Sequence, residues 1–105
     1  MKPLSNNLTK ILKVDYPIIQ APMGWIARYQ LACAVSEAGG LGIIETSSGE
    51  LEQIRKEIKL MRQNTEKPFG VNIAQAFVKD PDIVNFIIDQ GVKFVTTSAG
   101  DPNKY

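Results

Sequence analysis

Gly39-Gly40-Leu41-Gly42-Ile43-Ile44-Glu45-Thr46-Ser47-Ser48-Gly49-Glu50-Leu51 is the stretch on which the fold turns. Its two leading glycines suit the end of a helix, and Leu41 to Ile44 read as a short strand buried on both faces. Ser47 and Glu50 have the spacing of a reciprocal capping box, which predicts that a helix starts there. Leu51, Ile54, Ile58 and Met61 then make one apolar stripe, with Glu52 and Lys56 paired four apart in the favourable order. A helix end, a strand and a new helix within so few residues predict an α/β chain.

The same alternation extends in both directions. Upstream, Pro17-Ile18-Ile19-Gln20-Ala21 reads as a first strand, and Arg28 to Ala38 as a helix with Leu31, Ala34, Val35 and Ala38 on its apolar side. Downstream, Lys67-Pro68-Phe69-Gly70-Val71-Asn72-Ile73 reads as a third strand. Asp80-Pro81 offers an N-cap and a first-position proline for a helix whose apolar face is Ile83, Val84, Ile87 and Ile88. Gln90-Gly91 ends that helix, and Lys93-Phe94-Val95-Thr96-Thr97 is a fourth strand before the loop Ser98-Ala99-Gly100-Asp101-Pro102. The order is βαβαβαβ with strand starts at 17, 41, 69 and 93, and helix-containing connections predict parallel strands joined by right-handed crossovers. Units of this size build a TIM (β/α)8 barrel or a doubly wound sheet. A full barrel takes about 200–250 residues, so residues 1–105 are expected to be the N-terminal half of one barrel domain within a longer protein; a small complete α/β domain is the alternative.

Composition narrows the chemistry. The chain has 105 residues and 12 Lys+Arg against 11 Asp+Glu, a net charge of +1 without a basic stripe, which gives no footprint for nucleic acid or an anionic membrane. It has no histidine, so the commonest general base, the commonest zinc ligand and every Ser-His or Cys-His arrangement are excluded from these residues. The single cysteine, Cys33, rules out an intrachain disulfide and a cysteine-based metal cluster, and its apolar neighbours on a helix predict a buried structural thiol. No signal-peptide run precedes Asp15 and no window of about 20 apolar residues exists; a reducing cytoplasm is the expected location.

Parallel α/β folds hold ligands at the carboxyl ends of their strands. Ala21-Pro22-Met23-Gly24 follows the first strand. Its proline stiffens the turn, Gly24 permits close approach, and Met23 offers either a polarizable face for an aromatic ring or a core side chain. Asn72, an amide in an apolar strand, either reads the donor and acceptor edge of a heterocycle or satisfies nearby loop backbone. Glu45 and Asp101 are the carboxylates at strand ends, suited to acid–base or metal work or to capping and solvation. The cluster Gly39-Gly40-Leu41-Gly42 lies between a helix and the following strand, the reverse of a phosphate cradle.

Tyr16-Pro17-Ile18-Ile19-Gln20-Ala21-Pro22-Met23, Leu31-Ala32-Cys33-Ala34-Val35-Ser36-Glu37-Ala38-Gly39-Gly40-Leu41-Gly42 and Lys67-Pro68-Phe69-Gly70-Val71-Asn72-Ile73 together resemble the nitronate monooxygenase family, formerly called 2-nitropropane dioxygenases. The closing run from Gly91 to Tyr105 resembles the flavin-containing enoyl-acyl-carrier-protein reductases. The resemblance implies a TIM barrel that binds FMN, with Ala21, Pro22, Met23 and Asn72 against the flavin ring. It also implies an oxidoreductase acting on small molecules, either oxidising alkyl nitronates with dioxygen or using NAD(P)H as electron donor. The family's catalytic histidine and phosphate-holding glycine loops fall beyond the residues matched here, so this chain alone is expected to be inactive. Glu45-Thr46-Ser47-Ser48 departs from the glycine-rich stretch of the reductases and favours the broader oxidoreductase reading over an acyl reductase. A non-catalytic half-barrel that associates through its exposed edges, as a homo-oligomer or with a second half, is the alternative from a different class.

Overall fold

The computed structural model describes residues 3–105. In chain order it contains α1 (Asn7–Leu12), α2 (Tyr29–Glu37), β1 (Gly42–Ile44), α3 (Leu51–Asn64), β2 (Phe69–Ala74), α4 (Ile83–Asp89) and β3 (Phe94–Ser98), with short 3-10 turns at Gln75–Phe77 and Pro102–Lys104. The sheet is parallel in the order β1-β2-β3, with Ile44 opposite Val71 and Asn72 opposite Thr96. The predicted first strand is reduced to one parallel bridge, Ile19 to Leu41. All four passes therefore run the same way, and three are strands.

Each strand lies beside its predecessor, and α2, α3 and α4 stack on one face. Ile54, Ile58 and Met61 of α3 and Ile83, Phe86 and Ile87 of α4 share a core with Ile44, Val71 and Ile73. The other face carries Leu41, Ile43 and Phe94, which pack with Leu12 of α1 and Val14. Helix α1 is too short to show periodicity and was absent from the expected elements; Asn6 and Thr9 hold its start by reciprocal side-chain bonds of 2.9 and 2.8 Å. It covers the amino end of the sheet face opposite α3 and α4.

Several local expectations are corrected. Helix α2 buries Ala32 and Ser36, leaving Ala34 and Ala38 exposed. Its small-residue side faces the sheet because a Cβ at Gly42 would overlap the Ala32 carbonyl, so helix and strand backbones touch. The Ser36 hydroxyl, which accepts from Gly42 N–H at 3.0 Å and donates to the Pro68 carbonyl at 2.8 Å, ties α2 to β1 and to the residue leading into β2. On α4 the buried face is Ile83, Phe86 and Ile87, while Ile88 is 60% exposed. That helix starts after Asp82 rather than Asp80, because Asp80 turns the chain by accepting Asp82 N–H at 2.9 Å. The capping box at Ser47 and Glu50 does not form. Glu50 is the N-cap residue, its carboxylate held by Lys79 at 2.5 Å, and Ser47 bonds Glu45 instead.

The expected helix ends hold: Gly39 and Gly91 follow α2 and α4 with φ of 102° and 76°. Glu57, a buried acid on the α3 stripe, accepts the Tyr29 N–H at 2.9 Å and so satisfies the start of α2 from across the helix pair. The close approach at Gly42 leads to a measurable expectation. Gly42→Ala must push α2 off the sheet, and chemical denaturation should show a loss of about 3 kcal/mol or more.

Candidate functional site at the carboxyl rim

Four loops meet where the parallel strands end. The first begins at Gln20, the last residue aligned with the sheet. Gln20 N–H donates to the Leu41 carbonyl and Leu41 N–H to that of Ile18, after which the main chain swings away. It returns at Ala27, whose carbonyl accepts Glu45 N–H at 2.9 Å. Between these points the edge of β1 would leave Ile43 unpaired. The Gln20 side chain fills the gap: its Oε1 accepts Ile43 N–H at 3.0 Å and its Nε2 donates to the Ile43 carbonyl at 3.0 Å. Nε2 also donates to the Ala21 carbonyl at 2.7 Å. One buried amide thus stands in for a peptide unit of the ladder and holds the root of the Ala21-Pro22-Met23-Gly24 turn.

That turn lies open to solvent, with Met23 39% exposed. The Met23 carbonyl accepts the Ile26 and Ala27 N–H groups at 3.1 and 2.8 Å, folding the turn back. Trp25 sits at its tip with φ of 64°, a left-handed conformation costly for a bulky residue. The Arg28 guanidinium covers its ring at 5.5 Å. Gly24 presses on the second loop: a Cβ there would stand 2.8 Å from Ser47 Oγ.

The second and third loops are bonded in turn. Thr46 Oγ1 donates to the Asn72 carbonyl at 2.7 Å and accepts Ala74 N–H at 3.3 Å. Asn72 is buried, and its side chain engages β3 rather than loop backbone: Thr96 Oγ1 donates to Oδ1 at 2.8 Å, and Nδ2 donates to Ser98 Oγ at 2.9 Å. Each amide atom keeps capacity for one further bond. Thr96 and Ser98 were not singled out in the sequence; their i, i+2 spacing on a strand is the signal that puts them on Asn72's face. The fourth loop joins through Gln75, whose Nε2 donates to the Asp101 carbonyl at 2.9 Å. Ala99, in that loop, is a second rim residue in the left-handed region, with φ of 54°.

The structure therefore brings the Ala21–Met23 turn and Asn72 to one rim, linked through Gly24–Ser47 and Thr46–Asn72. The two rim carboxylates serve backbone instead. Glu45 is buried and accepts Ser47 N–H at 2.6 Å, and Asp101 accepts Asn103 N–H at 2.9 Å. Cys33 lies on α2, half-buried, away from this rim, with its Sγ 3.6 Å from the Asn64 carbonyl. Among the described residues no three His, Cys, Asp or Glu side chains gather as metal ligands, and no helix is long and apolar enough to cross a membrane.

The family model for nitronate monooxygenase matches residues 5–104. This chain belongs to the nitronate monooxygenase family. Within that family setting, it is 36% identical over 90 residues to a Mycobacterium tuberculosis protein named (3aS,4S,5R,7aS)-5-hydroxy-7a-methyl-1-oxo-octahydro-1H-indene-4-carboxyl-CoA dehydrogenase, covering 86% of this chain and 25% of that protein. It is 43% identical over 68 residues to a probable nitronate monooxygenase of Staphylococcus aureus, covering 65% of this chain and 19% of that one. Its fold matches FabK of Thermotoga maritima with a TM-score of 0.87 and 42% identity, over 97% of this chain and 33% of FabK. The chain thus spans a third or less of the length of each.

Gln20 offers a test of how the rim is held. Gln20→Ala leaves the buried Ile43 N–H and carbonyl without partners, and denaturation should report a loss of about 2–4 kcal/mol. Amide hydrogen exchange should accelerate first at Ile43, ahead of Val71 in the neighbouring strand.

Proposed function

We propose that this chain supplies the ring-facing portion of a flavin site in an oxidoreductase, and that FMN is the flavin. The observation that carries the reading is the placement of Asn72, with its amide oriented by Thr96 and Ser98, on the same rim as the exposed Ala21–Gly24 turn. The residues present suit such a group. The turn is uncharged and stiff, and Met23 offers sulfur to an aromatic face. Asn72 presents one donor and one acceptor, which matches a ring edge carrying both. Ala74, beyond it on the inner side of β2, is small.

A bound flavin would supply the redox chemistry. The protein's share is positioning and polarity. Gln20 fixes the root of the turn, Gly24 lets it lie against Ser47, and Asn72 gives a preorganised amide that needs no reorientation on binding. No histidine is present among these residues to move a proton at neutral pH.

The neighbour-by-neighbour strand order, with the crossover helices α2, α3 and α4 on one face, supports a (β/α)8 barrel over a doubly wound sheet, whose strand order reverses at a switch point. Within the family we infer oxidation of alkyl nitronates with dioxygen. The extent of the likeness to FabK supports a second reading, reduction of an enoyl thioester with NAD(P)H. Turnover assays of the whole protein on nitronates and on enoyl thioesters separate the two.

For the site itself, titration with lumiflavin followed by amide NMR should move the signals of Met23, Gly24, Asn72 and Ser98 together. FMN should bind this chain about as weakly as lumiflavin, because the four rim loops described here present no phosphate cradle. Asn72→Ala should reduce both responses by about tenfold. Shifts confined to other regions would remove the flavin assignment.

A further inference from the structure

The opposite rim has a different chemistry. Where β2 and β3 begin, the end of α3, the turns into both strands and the residue closing α1 bring Arg62, Lys67, Lys93 and Lys13 to one place. They border a cavity of about 280 Å³ with an apolar floor that includes Phe69 and Phe94. Glu66 is the one carboxylate on the lining, so the site carries three net positive charges on a chain whose total is +1. Among the described residues none of these five groups forms an ion pair. The cations come from separate segments, which is why the sequence shows no basic stripe.

Arg62 is the anchor. Its guanidinium lies 5.7 Å from the centre of the Phe69 ring, and Gly91 leaves it room: a Cβ there would sit 3.3 Å from the guanidinium. Four unpaired cations, each exposed, stand around this apolar floor, and their like charges repel one another. An anion relieves that repulsion. An inorganic anion would leave the floor wet, and an uncharged ring would leave the cations unpaired. A ligand that satisfies both has a flat apolar body and one anionic group. The cavity is close to the lower end, about 300 Å³, of ligand sites in general, so it suits a single ring system and not a dinucleotide.

We propose that the cavity at the amino ends of β2 and β3 binds a small aromatic or alicyclic anion bearing one phosphate or carboxylate. Arg62 and Lys93 hold the anionic group, and Phe69 and Phe94 hold the ring. The site lies on the rim opposite the Ala21–Gly24 turn and stands independently of the flavin reading.

The test is titration of the chain with 1-naphthyl phosphate, followed by amide NMR and calorimetry, with inorganic phosphate and 1-naphthol as the two half-ligands. Saturable shifts at Phe69, Val92, Lys93 and Phe94, with Met23 and Asn72 unmoved, support the proposal. Each half-ligand should bind about tenfold more weakly or worse, and Arg62→Met and Lys93→Gln should each weaken binding about three- to fivefold. Both substituted side chains are exposed, so the fold should persist, which circular dichroism checks. Absence of saturable shifts at these amides, equal binding of 1-naphthol, or unchanged affinity in both variants would overturn it.

Discussion

The amide of Gln20 bonded to both polar groups of Ile43 is the interaction on which the rim depends. A parallel edge strand must find partners for alternate N–H and carbonyl groups, and β1 does so from three sources: backbone near Ile19, a side chain, and backbone at Ala27. The side chain is what allows the main chain to leave the sheet early. Residues 21–26 are thereby free to form an exposed turn while Ile43 on the β1 edge beneath keeps both its backbone bonds. A continuous first strand would have satisfied Ile43 equally well and left nothing projecting over the strand ends.

The two ends of the sheet divide the work. At the amino end, Leu12, Leu41, Ile43 and Phe94 make an apolar contact that fixes α1 under the face away from α3 and α4. At the carboxyl end the same face turns polar, with Asn72, Thr96 and Ser98 bonded in a row. Such a row is stable because each member satisfies another, and it still offers unused donors and acceptors to a ligand. The helix-facing side is apolar except for Thr97, so stability and recognition are carried largely by opposite faces of the same three strands.

Much of this was legible in the residues. The stripe Leu51, Ile54, Ile58 and Met61 is long enough for its period to be unambiguous, and the glycines ending α2 and α4 mark real left-handed positions. Asn72 stood out because an amide in an apolar strand needs a reason. The faces of α2 and α4 were less legible, since Ala32 and Ser36 face the sheet for their small size, which hydrophobicity does not register. Helix α1 has too few residues for a periodic signal. The role of Gln20 could not be read at all: a side chain that imitates a peptide has no pattern in one dimension. The unpaired cations around Phe69 and Phe94 are likewise a product of three-dimensional convergence.

Trp25 is the only tryptophan in the chain, and it stands 65% exposed at the tip of the turn that Gln20 anchors. The molecule consequently carries its own optical gauge at the tip of the turn that projects from the carboxyl rim. Its indole emission, red-shifted while water surrounds it, records burial of that tip without any label being introduced.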